Sequence, residues 1–382
     1  MSVDGYSVSF VSSAGRIDAT LWEACFPPPI EGRWWYETLE QSGLERQFSF
    51  LYGVIHRAGV SVGIAPAFVM DFPVSLIAPP DLLPLLRWLD RLAPSLSRPR
   101  TLFIGSPCAD QGTVGLRVGV ERRGALLAVQ LAFRAKAREL GAPLLVWKDF
   151  AQPDTADLDW LAQAEGLFRV VSFPGTIVEL PVADKESYFA GLKASRRHNV
   201  RKKIRRSKEA VELRAEVLHA PDPHALDEIF GLFRQTCERA AVRFEELDRR
   251  FFECVARQPC AHFIVLREAT RGEAVAFMLC FHLGDKVINK YLGFDYRRPA
   301  EWLLYFRLWD AALDWALSLD ARSIQSGQTG YRPKIETGHR LVPLFNYCAH
   351  RSRLVHALAA AAARRIDWST IDDDLAGQRM GA

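Results

Sequence analysis

One order of elements is written twice along this chain, and that repetition limits the fold more than any single motif does. In the first pass, apolar β-runs at Phe48 to His56 and Val60 to Met70 flank the turn Arg57-Ala58-Gly59, which spells a hairpin. A helix at about Asp81 to Leu92 follows, then a strand at Thr101 to Ser106, a glycine-containing loop at Cys108 to Leu116 and a helix at Ala125 to Leu140 ended by Gly141. Pro143 to Lys148 is the next strand, Asp157 to Glu165 a helix, and Phe168 to Leu180 a strand kinked at Pro174-Gly175. In the second pass, a strand at Val211 to Leu218 and helices at Pro223 to Ala240 and Phe244 to Gln258 lead to a second hairpin. Its arms are His262 to Glu268 and Glu273 to His282, around Thr270-Arg271-Gly272. Lys286 to Phe294 is then a strand, Tyr296 to Ala300 a loop, Glu301 to Ser318 a helix and Ser323 to Ser326 a short strand. Each copy predicts an α/β unit with a mixed sheet, because hairpins pair antiparallel and strand–helix–strand crossovers pair parallel. The copies share order rather than residues, and the boundary between them is expected near Ala183, giving halves 1–183 and 184–382.

The chain opens with a strand at Tyr6 to Val11 and a helix at Trp34 to Gln41. Helix Glu301 to Ser318 is apolar nearly all round, with Arg307, Asp310 and Asp314 as its one polar stripe, so it must lie against a sheet. Trp302, Trp309 and Trp315 on it are read as core.

A length of 382 residues suits two domains, and 49% hydrophobic with 25% charged residues is ordinary globular composition. A net charge of +4 does not support nucleic-acid binding by bulk charge. The seven cysteines, Cys25, Cys108, Cys237, Cys254, Cys260, Cys280 and Cys348, are scattered with no C-x-x-C pair, which argues against a disulfide framework or zinc knuckle and for a reducing, cytoplasmic setting. No signal-peptide pattern opens the chain, and no apolar run reaches the roughly 18 to 20 residues that span a bilayer. Leu354 to Ala363 comes closest; flanked by Arg351, Arg353, Arg364 and Arg365, it reads as a packing helix, with membrane-surface contact as the lesser reading.

Against this balanced background, Leu192 to Lys208 is a local extreme. It carries Lys193, Arg196, Arg197, Arg201, Lys202, Lys203, Arg205, Arg206 and Lys208 and no acid, while Leu192, Val200 and Ile204 form a narrow apolar stripe of helical spacing. Like charges three and four apart repel on a helix, so the cluster is favoured where an anion, an acidic neighbour or open water lies alongside. A polyanionic ligand held by Lys193, Arg196, Arg197, Asn199, Arg201 and Arg205 is one reading; a solvated basic face is the other.

Three stretches, SYFAGLKASRRHNVRKKIRRS, KYLGFDYRRPAEWLLYFRLWDAALDWA and SIQSGQTGYRPKIETGHRLVPLFNYCAHR, together resemble the FemAB-like, tandem-GNAT N-acyltransferases. The likeness is strongest from about Ser187 to Arg351. It implies two GNAT-like halves, the second better preserved, and acyl transfer in a cleft between them.

Acyl transfer to an amine needs a held carbonyl, a donor to its oxyanion and a proton route. By the resemblance, the loop Tyr296-Arg297-Arg298-Pro299-Ala300 would grip a pyrophosphate at a helix N-terminus, with Arg297 and Arg298 adding charge. The glycine-rich pattern usual in acetyl-CoA-binding GNATs is absent from it. The first-half loop has Gly112 and Gly115 but no basic residue before Arg117, so that half is expected to be degenerate. Asn289 and Tyr291 alternate on one strand and are expected to share a face, with Tyr291 protonating the leaving group and Asp295 or Glu336 receiving the amine proton. The segment Gln325 to Lys334 reads as an exposed polar loop in which Gln328, Tyr331 and Lys334 contact substrate. His198, His339 and His350 lack metal-ligand spacing, so no metal is proposed, and Cys25 and Cys108 carry no signature of a nucleophile. The leading expectation is an N-acyltransferase using acyl-CoA or a similar thioester as co-substrate, with no tightly bound cofactor and an amine-bearing small molecule or peptide as acceptor. An aminoacyl-tRNA-dependent ligase, or a non-catalytic polyanion- or RNA-binding protein on the same scaffold, are the alternatives.

Overall fold

Local turn chemistry sets up both sheets. Ala58 and Gly59 take left-handed angles (φ 49° and 81°), the backbone of a two-residue hairpin turn that matches strand twist, and Gly272 (φ 72°) turns the second hairpin. The computed structural model describes residues 2–74, 88, 91, 97–182, 184–240 and 244–378. The helix expected at 81–92 lies outside them, apart from isolated positions.

In chain order the strands are β1 (Ser2–Val3), β2 (Tyr6–Val11), β3 (Ser49–Arg57), β4 (Val60–Asp71), β5 (Arg100–Ile104), β6 (Gly115–Leu116), β7 (Leu144–Phe150), β8 (Phe168–Val171) and β9 (Gly175–Glu179). The later strands are β10 (Leu213–Leu218), β11 (Ala261–Glu268), β12 (Ala274–Leu283), β13 (Lys286–Phe294), β14 (Ser323–Gln325), β15 (Arg340–Val342) and β16 (Phe345–His350). One mixed sheet has the order β1-β2-β3-β4-β5-β7-β16-β8 with β6 on β4; the other has the order β10-β11-β12-β13-β14-β9-β15. The mixed α/β architecture written twice is therefore what the chain adopts.

The strand expected over 168–180 divides at Pro174: β8 joins the first sheet, whereas β9 pairs antiparallel with β14 in the second. Reciprocally, β16 from the far end of the chain lies between β7 and β8. Residues 2–174 with 342–378 thus form one unit and 175–341 the other. The expected halves 1–183 and 184–382 are corrected on this point, because strand pairing, not chain order, satisfies the backbone groups of β7 and β14.

The first sheet is covered by helix Arg122–Glu139, whose Ala125, Leu126, Val129 and Phe133 are buried with Ile104 and Trp147. The second is covered on one face by helix Leu304–Ser318, burying Phe306, Leu308, Trp309 and Leu313. Trp302 and Trp315 pack on that cluster only in part. Its other face meets helices Pro223–Arg239 and Arg249–Ala256 through Phe233, Phe251 and Phe252. The latter helix starts later than expected, because the Asp248 carboxylate caps the Phe251 N–H. Helix 304–318 likewise starts late: Ala300–Trp302 form a separate 3₁₀ turn, and Leu303 adopts φ 47°. Among the described residues no helix is long and apolar enough to cross a membrane.

Candidate functional site

The second sheet opens into a fork. β13 and β14 pair in parallel only at Lys286–Ser323, Val287–Ile324 and Ile288–Gln325. Beyond this, the chain leaving β14 keeps to β9: the Ser326 N–H donates to Thr176 O (2.9 Å), and the Thr176 hydroxyl donates to Gly327 O (2.9 Å). On β13 the partners shift from Leu279–Tyr291 to Cys280–Asn289, which leaves Lys290 as the extra residue of a bulge. From Asn289 onward, the β13 edge towards β14 has no parallel partner among the described residues.

Asn289 and Ser326 stand at the apex of this fork, tied to each other and to His339. The Asn289 amide donates to the Ser326 hydroxyl (3.0 Å), and the Cys280 thiol donates to Asn289 Oδ1 (3.3 Å). His339 Nδ1 lies 2.9 Å from Lys334 O, which only accepts, so Nδ1 carries the proton and Nε2 accepts from the Ser326 hydroxyl at 2.8 Å. Burial, with the Lys334 ammonium nearby, pushes the imidazole down to about 3. His339 is therefore a neutral acceptor that fixes Ser326, and a poor base for activating it.

The segment 325–334 is not the exposed loop expected. Gln325 and Ser326 are buried, and Tyr331–Glu336 is a helix in which Tyr331 and Lys334 are buried. Lys334 is corrected from a substrate contact to an internal clamp: its ammonium donates to Ser326 O, to Gln328 O (3.1 Å) and to Gly327 O (3.4 Å). Tyr331, 0% exposed, is likewise removed from the substrate surface. Gln328 differs, since its Nε2 is shielded yet has no acceptor among the described residues.

The basic helix, Ala194–Ala210, packs through Val200, Ile204 and Ser207 and so faces the start of helix 304–318. The Ser207 hydroxyl donates to Trp302 O, and Lys203 Nζ sits 4.3 Å over the Phe306 ring while pairing with Glu336. Helix 304–318 has no side-chain cap at its N-terminus. The Phe306 N–H donates to Leu303 O (2.9 Å), and the N–H groups of Leu304 and Tyr305 lie beside the basic helix without a side-chain cap. Several expected phosphate contacts are engaged elsewhere: Arg197 donates to Ala190 O and Leu192 O, Arg201 pairs with Glu186 and stacks on Phe189, and Arg205 lies 3.8 Å from Glu209. Lys193, Arg196, Asn199, Lys202 and Arg206 have no side-chain partner among the described residues.

Arg297 and Arg298 are corrected too. Both donate to the buried Asp295 carboxylate, and Arg298 also pairs with Glu268 and Glu273. These contacts neutralise Arg298 and occupy Nε and Nη2 of Arg297. Burial raises the Asp295 carboxyl, but bonds from Arg297 and Arg298 outweigh it and hold it below its ordinary value, so Asp295 is a weak proton acceptor. Glu336 is held by Lys203 and lies 4.0 Å from Arg332. A concave pocket of about 560 Å³ adjoins this network, between helix 223–239 and the loop after β13. Its acids are all ion-paired, Asp227 with Arg249, Glu228 with Arg267, Glu273 with Arg298 and Asp295 with Arg297.

The bulge also separates Asn289 from Tyr291. Instead of sharing a face with Asn289, Tyr291 packs edge-on against Phe233 and Phe251 and donates to Glu245 Oε1 at 2.8 Å. Glu245 was invisible in the sequence, since 46 positions separate it from Tyr291 and no periodicity links them. His339 and Ser326 were hidden in the same way, as neither has a local signature.

The profile of the Acetyltransferase (GNAT) domain matches residues 194–330, which contain the basic helix, β13, the fork and the uncapped helix. The structure of FemX superposes with a TM-score of 0.60 at 11% identity, covering 92% of this chain and 100% of that one. A tandem GNAT protein from the clavulanic acid biosynthesis pathway, solved without AcCoA, superposes with a TM-score of 0.52 at 14% identity, covering 91% of this chain and 99% of that one. The chain thus shares the fold of these two structures, and its residues 194–330 match the GNAT domain. No curated protein matches it in sequence.

The two sheets differ at the fork. In the first copy, loop 105–114 fills the space beside β7: the Gly112 N–H donates to Asp149 O (2.8 Å), and a Cβ on Gly112 would fall on Lys148 O. Asp149 is meanwhile held by Lys148 and the Ser172 hydroxyl. An open edge with cations beside it occurs in the second copy.

Proposed function

We propose that the second unit moves an acyl group from a phosphate-bearing carrier to an amine, with the fork between β13 and β14 receiving the carbonyl. The observation that carries this reading is the uncapped N-terminus of helix 304–318 lying against the basic helix in the same unit as the open strand edge. Backbone N–H groups at a helix N-terminus suit a phosphate, and Arg206, unpartnered on the basic helix among the described residues, adds charge. Backbone N–H groups on the β13 edge beyond Ile288, where pairing with β14 ends, would polarise the acyl carbonyl as negative charge develops on its oxygen. The amine nitrogen attacks the carbonyl carbon, and the carbon–sulfur bond of a thioester, or the carbon–oxygen bond of an aminoacyl ester, breaks as the intermediate collapses. Tyr291 gives its proton to the leaving atom and Glu245 takes one from the amine, so proton count balances. Gln328, with its unused amide donor, is a contact for the acceptor.

The test is calorimetric titration with acetyl-CoA, followed by thiol release across a panel of primary amines. Micromolar binding that weakens at least fivefold in Arg206→Ala is expected. Absence of binding together with absence of thiol release with every amine would refute the thioester form of the proposal.

One observation favours aminoacyl-tRNA as the carrier: the unpartnered cations Arg196, Lys202 and Arg206 extend over about 15 Å of helix, more than a pyrophosphate occupies. Binding of that carrier would weaken steeply with salt, roughly as one power of concentration per phosphate neutralised. A shallow slope would favour the compact thioester.

A further inference from the structure

The helix Arg353–Ala363 turns its apolar side outward. His356 rests on the Phe168 ring (5.1 Å between centroids) and accepts from the His350 N–H, and Ala363 is the only fully buried residue of the helix. Leu354, Leu358 and Val355 are 71%, 63% and 44% exposed. Helical spacing places Leu354, Leu358, Ala361 and Ala362 together on the face away from His356. The expectation of a packing helix holds for the side that meets β8 and β16, while Leu354 and Leu358 on the opposite side stay largely exposed.

What could cover this face is limited by charge and size. Arg351, Arg353, Arg364 and Arg365 flank it, all exposed and without a side-chain partner among the described residues, and no acid occurs from 351 to 366. A second copy in either orientation would set arginines against arginines. The helix, 11 residues and about 16 Å long, also presents far less than the roughly 800 Å² per partner of a stable interface. An anionic surface matches both features: the leucines enter the acyl boundary while arginines at each end reach back to phosphates.

We propose that this helix docks the protein on an anionic lipid bilayer, lying in the plane of the surface without crossing it. The inference is independent of the acyl-transfer reading, because it uses residues of the first unit alone.

Flotation of the full chain with vesicles of phosphatidylcholine, alone or with one quarter phosphatidylglycerol, tests it. The protein is expected to float with the mixed vesicles, to be released as salt rises and to remain behind with phosphatidylcholine alone. The double variant Leu354→Ser, Leu358→Ser, altered only at exposed positions, is expected to partition at least tenfold less with an unchanged circular dichroism spectrum. Wild-type protein that fails to float with mixed vesicles, or floats equally with both kinds, would overturn the proposal. So would equal flotation of wild type and variant, which would assign binding to the basic helix 194–210. Size-exclusion behaviour showing a wild-type dimer and a monomeric variant would assign the face to a second copy instead.

Discussion

His339 shows how much one buried side chain contributes to this architecture. Its imidazole is held neutral by burial and by Lys334, with a folded value of about 3 against an ordinary 6.5. The unfolded chain therefore binds the proton more readily. Stability from this group is complete above pH 6.5 and is lost as pH falls from there towards 3, by about 1.4 kcal/mol per pH unit. Urea denaturation between pH 7 and 5 should show that slope in the wild type and a flatter one in His339→Gln; identical slopes would remove His339 as the source. Gly112 makes the same point sterically. Since a Cβ there meets the Lys148 carbonyl and the buried Phe150 ring, Gly112→Ala should lower stability by about 2 to 3 kcal/mol or displace the loop, seen as a lower thermal midpoint. Tyr291→Phe keeps the ring among Phe233 and Phe251 and removes only the bond to Glu245. It should lower turnover at least tenfold while moving substrate affinity little, and unchanged turnover would take the phenol out of the reaction.

At the scale of elements, the bulge at Lys290 and the clamp at Ser207 shape the proposed site. The bulge turns Asn289 towards Ser326 and Tyr291 towards Glu245, so one strand serves two faces where strict alternation would serve one. The basic helix was readable as a helix from Val200 and Ile204 at spacing four, but its orientation was not. Arg197, Arg201 and Arg205 look equivalent to Lys202 and Arg206 in sequence and differ only in what lies beside them. Ser207, fully buried, sets that orientation through Trp302 O. Ser207→Val keeps the shape and removes the donor, which should cost about 1 to 2 kcal/mol in denaturation and weaken carrier binding several-fold as the cations lose their register. Undiminished binding in that variant would argue that the basic helix is not part of the site.

At the scale of the whole molecule, the exchange of β9 and β16 makes the halves interdependent in sequence. Residues 1–183 expressed alone carry β9 with no β14 and lack β16, leaving β8 unpaired and β7 with β5 alone; residues 184–382 have the reverse defect. Neither fragment should unfold cooperatively alone, while co-expression should restore a cooperative transition; an independently stable fragment would show the exchange to be dispensable. Alternation, turn glycines and apolar helical stripes, all properties of neighbours within a dozen residues, determined from sequence alone that two mixed α/β copies would form and where their hairpins and central helices lie. Three features arose only on folding: Lys334 turned inward, Arg298 was neutralised by Glu268 and Glu273, and β16 was placed between β7 and β8. Each depends on partners distant in sequence, and a charge or a strand edge reveals its need for a partner locally but not which partner meets it.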